Sequence, residues 1–105
     1  MDENQLLGII AAVTGVTIKE IKGASRKRVF VDARKLYCCV CQYLIKTQHW
    51  IGYTSTTSIG QAIQVTHPSV LYFFKDANHQ RQFNEAFRRD YAAALGMVEK
   101  ELNKG

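Results

Sequence analysis

Apolar residues recur at intervals of three and four along nearly the whole chain, and no run alternates with the period of two that a half-buried strand needs. This pattern predicts an all-α fold, and caps divide it into elements. Asp2 caps a first helix with Leu6, Ile9, Ile10 and Val13 on one face, ending near Thr14 and Gly15. Thr17 caps a short turn of helix, TIKEIK, stopped by Gly23. After the basic loop GASRKR, a long helix is predicted from about Phe30 to Thr47, with Ala33, Leu36, Tyr37, Val40 and Leu44 as its inner stripe. The stretch QHWIGYTSTT reads as a loop with room for some extended structure. A short helix follows at Thr57–Gln64 and a second begins after Thr66. The last runs from about Asn84 to Asn103, aligning Phe87, Tyr91, Ala94, Val98 and Leu102. The expectation is a bundle of about five to six helices, and 105 residues suit one domain, 1–105, around a single modest core.

With 47% apolar and 22% charged residues and a lone Pro, the chain has the composition of a folded protein rather than a disordered one. The apolar stretch LLGIIAAV follows two acidic residues and is too short to cross a bilayer, so no membrane partner is expected. Three cysteines crowded into CCVC suit reduced thiols in a cytoplasm better than a disulfide scaffold. Net charge is +5, and its distribution is uneven. Between Lys19 and Lys46 eight basic residues face two acidic ones, whereas residues 1–18 carry −2 and residues 47–105 only +1. A local basic excess on a small domain suits a polyanionic partner, because Lys and Arg release counterions from phosphate backbones. The alternative is a solvated basic surface.

The sharpest motif is SIGQAIQVTHPSVLYFF, residues 58–74. A helix-turn-helix needs a small residue where its helices cross, an apolar wedge, a tight turn and a capped second helix facing the groove. Gly60 is the small residue, and Ile59, Ile63, Val65, Val70 and Phe73 are the wedge. Thr66 caps the second helix, and Pro68 falls in its first turn, where a missing N–H costs little. Gln64 stands at the turn position often given to Gly and is expected to adopt a left-handed or otherwise adjusted backbone. The outward positions are Thr66, His67, Pro68, Leu71, Tyr72 and Lys75. Thr66 and His67 can reach base edges or phosphate, and Pro68 and Leu71 a thymine methyl. For Leu71 and Tyr72, core packing is the competing expectation. Arg, Asn and Gln are missing from this set, which points to readout that leans on DNA shape. An ordinary αα-hairpin within a bundle is the alternative for the whole motif.

SRKRVFVDARKLY (25–37) followed by SIGQAIQVTHPSVLYFFKDA (58–77) resembles the C-terminal DNA-binding domain of the bacterial chromosomal replication initiator DnaA. The resemblance implies an all-α, Trp-repressor-like helix-turn-helix with a basic loop before a long helix, binding double-stranded DNA at a replication origin or regulatory site. In that family an Arg of the basic loop enters the minor groove, and Arg28 is the closest match, with Lys27 and Arg26 beside it. Arg34 matches the Arg at the start of the long helix. In the family's Asp-His-Thr-Thr-Val signature His67 and Val70 match directly, and Ser69 stands in for the second Thr. Thr66 and Pro68 stand where the family has Asp and the first Thr. The turn is one residue shorter, and a longer loop brings in Trp50. No Gly-x-x-x-x-Gly-Lys-Ser/Thr run occurs, so the expectation is a DNA-binding module without its own ATPase motor.

Other chemistries find less support. Cys38, Cys39 and Cys41 with His49 lack the paired spacing of a structural zinc site and read as small buried side chains. Nothing places His67 or His79 beside a thiol as a catalytic pair, so no enzyme, cofactor, metal or small-molecule substrate is expected. Two alternatives stand. One is a protein-interaction module docking a partner through FNEAFRRDYAAALGMVEKEL, and the other is a transcription regulator of a phage or mobile element.

Overall fold

The computed structural model describes residues 1–104, which form six α-helices and no strand. They are α1 (Glu3–Thr14), α2 (Ile18–Ile21), α3 (Arg28–Lys46), α4 (Thr56–Ala62), α5 (His67–Phe83) and α6 (Glu85–Leu102). Local chemistry sets most of their ends. Asp2 and Thr17 build capping boxes with Gln5 and Glu20, and Ser55, Thr66 and Asn84 each accept a backbone N–H in the first turn of the helix that follows. Gly15 closes α1 with a left-handed backbone at φ 75°.

The long helix begins earlier than its apolar pattern suggests. Arg28 is its first residue rather than the last of the basic loop, because the Lys27 carbonyl already accepts from the Phe30 and Val31 amides. Lys27 caps it without a side-chain hydrogen bond, so the sequence carries no start signal there.

Every residue from Ala33 to Cys41 is buried, which makes α3 the axis of the bundle. Helices α1, α2, α5 and α6 pack on it, α4 rests on α5, and one hydrophobic core joins them. The three cysteines are free and buried within this axis. Burial holds the Cys38 thiol well above its ordinary pKa and pushes that of Cys41 up to about 12. Among the described residues no group of His, Cys, Asp and Glu is placed to hold a metal ion, and no helix is long and apolar enough to cross a membrane.

Two expectations are corrected. The 47–55 loop holds no strand. It is organised instead by the Trp50 indole N–H donating to the Tyr53 carbonyl at 2.7 Å, a Tyr37–Tyr53 hydroxyl pair at 2.5 Å, and the Ile51 amide donating to the Met1 carbonyl. The stripe of α6 considered for a partner is turned inward: Phe87, Ala94 and Val98 are buried and Tyr91 and Leu102 are half-buried, against α1, α3 and α5. The domain's own helices occupy that face.

Candidate nucleic-acid interface

Helices α4 and α5 meet at Gly60. A Cβ there would overlap the Val65 carbonyl oxygen and lie 3.0 Å from Val70 Cγ2, so only glycine allows this approach. The Gly60 carbonyl accepts from the Val65 amide at 2.8 Å and closes the turn. Gln64 takes up the reversal with φ 56°, the left-handed conformation its position demands. Ile59, Ile63, Val70 and Phe73 are buried as the wedge, with Val65 half-buried beside them.

The N-terminus of α5 is laid out by side chains. Thr66 Oγ1 accepts from the Ser69 amide and pairs with the Ser69 hydroxyl at 3.0 Å. His67 is the first residue of α5, and its Nδ1 is hydrogen-bonded to the Thr56 hydroxyl at the start of α4. That bond leaves Nε2 as the ring's remaining hydrogen-bonding group, with the complementary donor or acceptor role in the neutral form. Thr56 is a residue that sequence reasoning missed. Only the tertiary approach of the two helix starts brings it to His67, eleven positions away.

Along α5, Pro68, Leu71, Tyr72 and Lys75 are all exposed, with Leu71 at 48% and Tyr72 at 59%. The two apolar side chains therefore lie on the surface, where core packing was the competing expectation. Behind them the helix is anchored to α3 by Lys35, whose Nζ lies 2.5 Å from Asp76 Oδ2, with the Phe73 ring 6.0 Å from the same ammonium.

The basic loop lies against this unit. Arg34 is only 3% exposed, and its guanidinium donates from Nε to the Ile21 carbonyl at 2.7 Å, from Nη1 to that of Ser25 at 2.5 Å, and from Nη2 to those of Glu20 and Gly23 at 2.9 and 2.8 Å. It gathers carbonyls at and just beyond the end of α2 and pins the segment that leads into the loop. This geometry makes Arg34 an internal clasp without a free donor face. Arg26, Lys27 and Arg28 stay exposed, and Arg28 meets only Asp32, at 3.8 Å.

Arg26 and Ala24 line an open cleft of about 410 Å³ together with Gln64, Val65, Thr66 and Ser69. Arg34 lines it too, so four of the residues singled out from the sequence meet here: Arg26, Arg34, Thr66 and Ser69. Lys27 and Arg28 lie outside the cleft, while Leu71 and Lys75 border a second groove on the other flank of α5.

No protein-family model matches the chain. It is similar to the chromosomal replication initiator protein DnaA 2 of Chlamydia pneumoniae, with 34% identity over 84 residues. The match covers 80% of this chain and 17% of that protein, so the chain corresponds to a small part of its relative's length.

Proposed function

We propose that this domain binds double-stranded DNA, with α5 entering the major groove and the basic loop before α3 reaching an adjacent groove, as a DnaA-like module without ATPase activity. One observation carries the reading. Arg26 of the basic loop and the capped N-terminus of an exposed helix line a single cleft, so one duplex can engage both. The similarity to a replication initiator supports a place at a replication origin or a regulatory site.

On this reading His67, oriented by Thr56, contacts a base edge or phosphate through Nε2, and Thr66 and Ser69 hold a phosphate at the helix start. Pro68, Leu71 and Tyr72 give apolar contact along the groove, and Lys75 neutralises a backbone phosphate. Arg26, with Lys27 and Arg28 at the edge of the loop, reads the narrow minor groove. Arg34 acts through the loop it holds.

Selection from randomised duplexes, followed by hydroxyl-radical footprinting on the selected sites, tests this reading. Protection of the sugar–phosphate backbone bordering one major groove, together with a flanking minor groove, is expected. Enrichment of no sequence together with absence of any footprint would overturn it.

A further inference from the structure

On the flank of α5 opposite the basic loop, a groove of about 490 Å³ opens between α3, α5 and α6. Three cationic side chains border it, Lys46 from α3 and Lys75 and Arg81 from α5, together with the amides of Gln42 and Asn78. None of the described residues lining it carries a carboxylate, and Lys46, Lys75 and Arg81 take part in no salt bridge among the described residues. Positive charge gathered without counter-charge raises the local potential for an anion.

Arg81 carries the argument further. Its guanidinium stacks on the Tyr91 ring, 4.9 Å from the centroid, and one Nη hydrogen-bonds to Asn78 Oδ1. Its Nε is buried and has no hydrogen-bond partner. An unpaired buried donor on a charged group is costly, and a small shift of the guanidinium that opens Nε to an acceptor oxygen in the groove would relieve it. The stack and the Asn78 bond hold the planar fork in one orientation before any ligand arrives.

We propose that this groove is a phosphate-binding site, in which Arg81 and Lys46 grip the oxygens of a phosphate group while Gln42 and Asn78 complete its hydrogen bonding. A tetrahedral phosphate anion suits a fork-shaped donor, a mobile ammonium and neutral amides in one open groove. The phosphate comes either from the backbone of a bound duplex, lying along the second flank of α5, or from a free phosphorylated molecule.

The test is an NMR titration of the whole chain with inorganic phosphate against chloride at fixed ionic strength, repeated with a short random duplex. Inorganic phosphate is expected to shift the Arg81 Nε–H and the Asn78 and Gln42 side-chain amides in a saturable way, while the Trp50 indole stays still. Lys46→Gln, an exposed change that leaves the core untouched, should weaken that binding about tenfold. If duplex saturates the same resonances and inorganic phosphate competes with it, the DNA backbone is the source. If duplex binds without moving them, the source is a free phosphorylated molecule. Shifts that never saturate, or that Lys46→Gln leaves unaltered, would overturn the site. That outcome is independent of whether α5 and the basic loop bind duplex.

Discussion

Lys35 and Asp76 form an ion pair of 2.5 Å with side chains only 9% and 17% exposed, and this pair is the polar link between the axial helix and α5. Asp32 lies 3.9 Å from the same ammonium but is far more open to solvent. Removing Asp76 leaves the buried Lys35 ammonium with only the more exposed and more distant Asp32 as counter-charge. Asp76→Asn should therefore destabilise the fold by about 3 kcal/mol in urea denaturation, and Lys35→Met combined with Asp76→Leu should recover most of that loss. A single-substitution loss below about 0.5 kcal/mol would show that water screens the pair as it does at a surface.

The turn between α4 and α5 offers two changes of opposite sign. Gly60→Ala drives a Cβ into the Val65 backbone oxygen, which cannot rotate away, and should cost about 2 kcal/mol despite the better helix propensity of Ala. Gln64→Gly relieves a left-handed backbone at φ 56° and should stabilise by about 0.5 kcal/mol, the strain removed exceeding the entropy added to the unfolded chain. Thermal denaturation of both variants checks the pair of signs.

Capping and wedge residues were legible in the sequence because they act within one turn of helix. Asp2, Thr17 and Thr66 begin helices where their side chains predict, and Ile59, Ile63 and Val70 are buried as their spacing requires. What escaped is long-range. Arg34 is spaced like a surface residue of the basic segment, yet it meets carbonyls nine to fourteen positions earlier in the chain. The Thr56–His67 bond depends on how two helix starts approach each other, which periodicity does not encode. For the same reason the α6 stripe could be recognised as apolar, but what it packs against could not.

Arg34→Lys tests the clasp. One ammonium cannot span the four carbonyls that the guanidinium holds, so a loss of about 2 kcal/mol of stability is expected. Duplex affinity should also fall at temperatures where the variant is fully folded, because Arg26 and Lys27 are no longer held in place. Lower stability with unchanged affinity would remove Arg34 from the positioning of the loop.

Alkaline pH should unfold the protein through its thiols. The folded pKa of Cys41 is raised to about 12 from an ordinary value near 9, by burial, and that of Cys38 is raised in the same direction. Above pH 9 the unfolded chain has released protons that the folded chain still holds. Stability is therefore complete below pH 9 and falls as pH rises toward 12, by about 1.4 kcal/mol per unit for each such thiol. Cys41→Ala should flatten that decline in urea titrations between pH 8.5 and 10.5, and an unchanged slope would contradict the assignment.

Binding to a duplex of random sequence, measured across a series of salt concentrations, tests the central claim most directly. With Arg26, Lys27, Arg28 and Lys75 exposed to contact phosphates, log K should fall linearly with log salt with a slope of about −3 to −4. Replacing Arg26 and Lys27 together by Ala should bring the slope about 2 units closer to zero. Affinity at low salt no better than that of an uncharged domain of this size, or a slope that the double substitution leaves unchanged, would contradict the account.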